Sequence, residues 1–163
     1  MIFEGWGIAA SSGVVRPANL EDDIYWTDYV IHASSPKIVG TPIHVMHDTR
    51  FEPIGETTDY SVFEDNLFIK YKIYEHLWNN FVSEANSKEN INIGTTFNQL
   101  VSEIESGNMA LSVGVDALTA PTKRHPRTVV ALSSWNEVSL VRKPASPGSW
   151  TAACTDKCQE AFR

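Results

Sequence analysis

The sequence predicts a mainly β chain with inserted helices, an α+β fold whose sheet is mostly antiparallel and closed or nearly closed. Three observations predict it. Apolar and polar residues alternate with the two-residue period of strands in many short segments, which follow one another at hairpin distances. Helical periodicity replaces it clearly in only two internal stretches, Glu75 to Ala85 and Thr96 to Ser106. No internal repeat or low-complexity segment divides the chain. Residues 1–150 therefore read as one domain, with 151–163 as a C-terminal tail of weak helical character.

In chain order, residues 2–9 form a strand candidate in which Gly5 and Gly7 suggest a bend or a close backbone approach. Ser11-Ser12-Gly13 reads as a turn and Arg16 to Asp23 as a polar loop. Ile24–Ile31 alternates weakly and is a second strand candidate, broken by Ser34-Ser35-Pro36. Residues 43–47, Ile-His-Val-Met-His, resemble a short buried strand entered through Gly40-Thr41-Pro42, and Pro53-Ile54-Gly55 begins another extended segment. Val62 to Tyr74 reads as a hairpin turning at Glu64-Asp65-Asn66. Two amphipathic helices follow: Leu77, Trp78, Phe81 and Val82 mark the first, and Phe97, Leu100, Val101 and Ile104 the second, closed by Gly107. Residues 109–115 then return to strand period. Thr128–Leu132 and Trp135–Val141 read as two more strands around a Ser133-Ser134 turn. Together this makes roughly six to eight strands.

Composition narrows the function classes. At 163 residues, 42% hydrophobic and 20% charged, with a mean hydropathy of -0.20, the chain has the make-up of a soluble globular domain. No apolar run approaches the roughly 20 residues that span a bilayer, so no membrane partner is expected. Met1-Ile2-Phe3-Glu4-Gly5 has neither the basic nor the apolar region of a signal peptide. A net charge of -7 argues against a general nucleic-acid binder. The chain's two cysteines, Cys154 and Cys158, lack the further ligands of a zinc site and read as reduced, incidental thiols. No cofactor or metal is expected.

Three positions stand out chemically. In Met109-Ala110-Leu111-Ser112-Val113-Gly114-Val115, one strand face carries Leu111, Val113 and Val115, and the other only Ala110, Ser112 and Gly114. That bare face either accommodates a closely packed neighbour or presents the Ser112 hydroxyl as a nucleophile. His47 ends an apolar segment just before turn residues, a position suited to a structural histidine or to a base at a rim. Glu137 is a carboxylate in an otherwise apolar or small strand, either facing water from an edge or orienting an imidazole. His44, His76 and His125 fit the role of base less well, and Ser139, Asp48 and Asp116 are the rivals for nucleophile and acid. The chain has no Gly-x-Ser-x-Gly elbow, Ser-x-x-Lys motif, His-Glu-x-x-His motif or phosphate-binding Gly-rich loop.

Val45-Met46-His47-Asp48 followed by Pro53-Ile54-Gly55, Ala110-Leu111-Ser112-Val113-Gly114, and Glu137-Val138-Ser139-Leu140-Val141 followed by Pro144-Ala145 occur in that order. Together they resemble the histidine, nucleophile and closing motifs of the tailed-phage prohead maturation protease family. Gly5-Trp6-Gly7-Ile8-Ala9 is similar to that family's first strand. The resemblance covers about residues 2 to 149. It implies a fold related to the herpesvirus assembly proteases: a compact, mostly antiparallel β-barrel surrounded by helices. It further implies a serine endopeptidase with Ser112 as nucleophile, His47 as general base and Glu137 as orienting acid. The loop from Arg142 to Ser146 would help hold the oxyanion. The implied substrates are the scaffolding protein, the major capsid protein and the enzyme itself, cleaved inside an assembling procapsid in the host cytoplasm, with self-association possible. The alternative is a catalytically silent capsid-associated or decoration protein that keeps the fold.

Overall fold

The computed structural model describes residues 1–16, 23–89, 94–142 and 155–163. Its strands are β1 (Ile2–Ser11), β2 (Gly13–Val15), β3 (Ile24–Trp26), β4 (Pro42–Val45), β5 (Gly55–Phe63), β6 (Asn66–Tyr74), β7 (Ala110–Ala120) and β8 (Thr128–Val141). The helices are α1 (Asp28–Ser34), α2 (Glu75–Glu89), α3 (Phe97–Glu105) and α4 (Thr155–Ala161), with a 3₁₀ turn at Ser35–Ile38. All eight strands share one sheet ordered β1-β6-β5-β4-β8-β3-β2, with β7 added to β8.

β8 organises the sheet. β7 runs antiparallel along it from Ala110↔Val141 to Ala120↔Thr128. β4 pairs in parallel with Val138 to Leu140, and β3 in parallel with Thr128 and Val129. The remaining pairings are antiparallel, which agrees with the sequence. The expected closure does not occur. The sheet curls until β1 and β7 come into contact, but no ladder joins them, so it is a half-barrel rather than a closed barrel. Closure needs a ladder between every neighbouring pair, and among the described residues β1 pairs only with β6 and β7 only with β8.

Apolar residues from both helices and sheet meet inside the curl. Ile31, Ile43, Ile54, Ile69, Ile73, Leu111, Val138 and Leu140 are almost wholly excluded from solvent. Trp26 stacks on Trp135 at 6.0 Å, and the Trp135 indole donates to the Ser34 carbonyl at 2.9 Å, which satisfies its buried N–H. α3 starts at a capping box in which Thr96 and Gln99 exchange side-chain-to-backbone hydrogen bonds.

Several local expectations are corrected. Ile24–Ile31 is not one strand: β3 stops at Trp26, and the Thr27 hydroxyl caps α1 by accepting from the Val30 amide. Ser133-Ser134 is not a turn, because β8 runs unbroken from Thr128 to Val141, and register shifts opposite β7 absorb the irregularity. Neither serine supplies the left-handed backbone that a tight hairpin favours. The irregularity of β1 falls between Ile8 and Ala10, while Gly5 marks a close approach: a Cβ there would lie 2.3 Å from the Tyr71 ring. The 62–74 hairpin turns on Glu64 and Asp65, both at positive φ. Cys158 is buried on α4 against Ile8 and Phe68 and is disulfide-bonded, against the expectation of a reduced thiol, which rested on the lack of a secretory signal. Cys154 lies outside the described residues.

Candidate active site

β4 ends at Val45, two residues earlier than the sequence pattern suggests. The chain then reverses over Val45–Asp48, with the Asp48 amide donating to the Val45 carbonyl at 3.0 Å. Met46 and His47, the central pair, have φ of 53° and 59°, the left-handed backbone of a type I′ turn. Neither is the Asn or Gly that such a turn favours, and residues in this region cost on the order of 1–3 kcal/mol each unless their surroundings hold them. Here β8 does so: the Met46 amide donates to the Leu140 carbonyl at 2.9 Å, and the His47 amide to Ser139 Oγ at 3.1 Å. The turn thus projects the His47 ring over the β7–β8 pair.

The three residues singled out in the sequence come together there. His47 Nε2 lies 3.0 Å from Ser112 Oγ, and His47 Nδ1 lies 2.5 Å from Glu137 Oε1. They arrive from three different segments: Ser112 from β7, Glu137 from β8 and His47 from the turn after β4. The His47 side chain is 42% exposed and Glu137 only 6%, so the row runs from a buried carboxylate to a hydroxyl within reach of solvent. Glu137 belongs to an interior strand with neighbours on both sides and is not an edge residue facing water. A buried carboxylate needs partners. Oε1 meets His47 and Oε2 accepts from Ser139 Oγ at 2.5 Å.

The bare face of β7 has a specific occupant. Gly114 sits opposite Glu137, and a Cβ on Gly114 would lie 2.3 Å from Glu137 Oε1. Glycine is needed at this point because the carboxylate fills the space. Ser139, two residues beyond Glu137, is opposite Ser112 in the ladder and wholly buried. Its hydroxyl is engaged with Glu137 and the His47 amide, whereas the His47 ring nitrogen Nε2 meets Ser112. The signal for both residues was present in the sequence: Ser139 shares the face of Glu137 by the two-residue period, and Gly114 shares that of Ser112.

The other candidates are held elsewhere. Asp48 takes a two-pronged contact from Arg50, at 2.9 Å to Nε and 2.7 Å to Nη2, and these hydrogen bonds keep its carboxyl below the ordinary range. Arg50 also meets Glu89 at 2.7 Å, tying this loop to α2. Asp116 is exposed and accepts from Ser134 at 3.3 Å. His44 is buried, and burial lowers its imidazole pKa, opposed by the carboxylates of Glu137, Asp48 and Glu52. It is the ring of His47 that reaches Ser112. His76 is exposed, and His125 is bound within its own loop to the Arg127 backbone. Residues 143–146 of the loop expected to hold an oxyanion lie outside the described residues. No cluster of metal-ligating side chains occurs among the described residues.

The fold has known counterparts. A structure of Kaposi's sarcoma herpesvirus protease with an allosteric inhibitor matches at TM-score 0.55 and 15% identity, over 92% of this chain and 74% of that one. The protease of the same virus with a dimer disruptor matches at 0.55 and 17%, with the same coverage. A complex with a hexapeptide phosphonate inhibitor matches at 0.53 and 17%, over 90% of this chain and 63% of that one. At such identities the likeness is one of fold. The sequence matches no protein-family model and no curated protein.

Proposed function

We propose that the chain is a serine endopeptidase of viral procapsid maturation. The observation that carries this reading is the hydrogen-bonded row Ser112–His47–Glu137, with contacts of 3.0 and 2.5 Å. Ser112 Oγ attacks the scissile carbonyl carbon as its proton passes to His47 Nε2. Glu137 accepts the Nδ1–H, fixes the tautomer that leaves Nε2 free to act as base, and stabilises the imidazolium. The Nε2 proton then goes to the leaving amine, and an acyl ester remains on Ser112. Water activated by His47 hydrolyses that ester and restores the hydroxyl.

The herpesvirus-protease-like half-barrel supports a peptidase over an unrelated binding module. The three motifs at His47, Ser112 and Glu137 support the phage prohead family in particular. The substrates of this proposal are the scaffolding protein, scaffold-like segments of the major capsid protein and the chain itself, cut within the assembling procapsid in the host cytoplasm. Self-association belongs to the same proposal, and dimer disruptors are known for the herpesvirus protease.

The test is to incubate the purified chain with its scaffolding protein, as wild type and as Ser112→Ala. Losing one hydroxyl from a strand face of small residues opens little cavity, so the variant should remain folded. Wild type should cut the scaffold and Ser112→Ala should not. Cutting by the variant contradicts Ser112 as nucleophile, and an uncut scaffold with wild type supports the silent capsid component instead.

A further inference from the structure

We propose that Ser139 is the positioning residue that sets both His47 and Glu137 in register, a role that rests on the peptidase reading above. A hydroxyl has one proton to donate and two lone pairs to accept with. Ser139 uses both functions inside the site: Oγ–H donates to Glu137 Oε2 at 2.5 Å, and Oγ accepts the His47 amide at 3.1 Å. A single atom therefore fixes the side chain of one member of the row and the backbone of another.

Two consequences follow for geometry. With Oε2 held by Ser139, the carboxylate presents Oε1, and only Oε1, to His47 Nδ1. The His47 amide, at positive φ in a turn, is pinned to β8 one residue from the Met46–Leu140 hydrogen bond, so ring and carboxylate are referenced to the same strand. Ser139 is fully excluded from solvent, so water does not stand ready to replace the hydroxyl. Ser112, Ser139 and His44 are cross-strand partners on β7, β8 and β4, which places Ser139 directly between the nucleophile's strand and the strand that leads into the turn.

The experiment compares wild type, Ser139→Ala, Glu137→Gln and the double variant, each as the full chain. Three readouts are taken: thermal melting, the proton NMR signal of the His47 Nδ1–H, and the rate at which diisopropyl fluorophosphate modifies Ser112. Ser139→Ala should stay folded, lose or shift upfield the Nδ1–H signal, and react on the order of 10- to 100-fold more slowly, as expected for a displaced base. The double variant should lose less than the product of the two single losses, because Ser139 acts in part through Glu137. An unchanged Nδ1–H signal, or rate losses that multiply in the double variant, overturns the proposal. If wild type does not react with the reagent, the peptidase reading fails, while the NMR signal still decides the role of Ser139. If Ser139→Ala does not fold, amide exchange in wild type decides: the His47 N–H should be protected like a ladder amide, and exchange at the rate of an open loop contradicts the bridge.

Discussion

Gly114→Ala is the most revealing substitution, because it acts on the proposed row through one methyl group whose nearest neighbours are all atoms of Glu137. The added Cβ would lie 2.3 Å from Glu137 Oε1, 3.1 Å from Cδ and 3.3 Å from Cγ. Relief requires Oε1 to withdraw by about 1 Å, and its 2.5 Å contact with His47 Nδ1 then stretches beyond the usual hydrogen-bond range. Ser139 holds the other oxygen, which opposes a simple swing of the carboxylate. Displacing a positioning group by about 1 Å costs roughly 100-fold in rate, or about 2.7 kcal/mol of transition-state stabilisation. The cost to folding should be smaller. Overpacking typically destabilises by about 1–3 kcal/mol, and replacing glycine recovers about 0.4–1 kcal/mol from the unfolded chain. Gly114 is not at positive φ, so the backbone itself accepts alanine. Cleavage rate and melting temperature should be measured on the same preparation. A folded Gly114→Ala variant that cleaves at the wild-type rate would refute the placement of Glu137 against His47.

Replacing Glu137 by Gln should lower cleavage steeply, by up to about 10⁴-fold, while Asp48→Asn and Asp116→Asn stay near wild type. Collapse in either of the latter with normal activity in the first would move the acid elsewhere. Burial holds the His44 imidazole below its ordinary pKa, so the unfolded chain binds its proton first. This contribution to stability is complete above about pH 6.5 and declines as pH falls towards the lower folded value. Denaturant titrations at pH 7 and pH 5 should show a smaller acid loss in His44→Gln, and an identical loss contradicts the sign. At the β5–β6 hairpin, Glu64→Asn with Asp65→Gly suits the positive φ of both residues. It should stabilise by roughly 0.5–1 kcal/mol in the same assay, and a loss of stability contradicts the turn type.

The sheet was legible where strand period and turn chemistry agree, as across Val62–Tyr74, and the two long helices were legible from their apolar stripes. Closure was not legible, because it depends on whether β1 and β7 form a ladder, and no residue pattern states that. Ile24–Ile31 misled because β-branched and aromatic residues outweighed a single capping threonine. The bare face of β7 correctly announced that something lies against it, but the occupant comes from the neighbouring strand, and only the Gly114–Glu137 register identifies it. His47 was legible as a rim residue, whereas its left-handed backbone was not, since Met-His is an unusual pair for a type I′ turn. Ser139 read as a rival to Ser112 because sequence gives the face of a serine but not what its hydroxyl meets.

The central claim is that Ser112 is a nucleophile activated by His47. Its most direct measurement is the site of covalent modification by diisopropyl fluorophosphate, found by intact mass and peptide mapping on wild type and on His47→Ala. One adduct on Ser112 in wild type, with labelling of His47→Ala slowed by at least about 100-fold, is the predicted result. An adduct on Ser139 or any other residue, or equal labelling of both proteins, would contradict it.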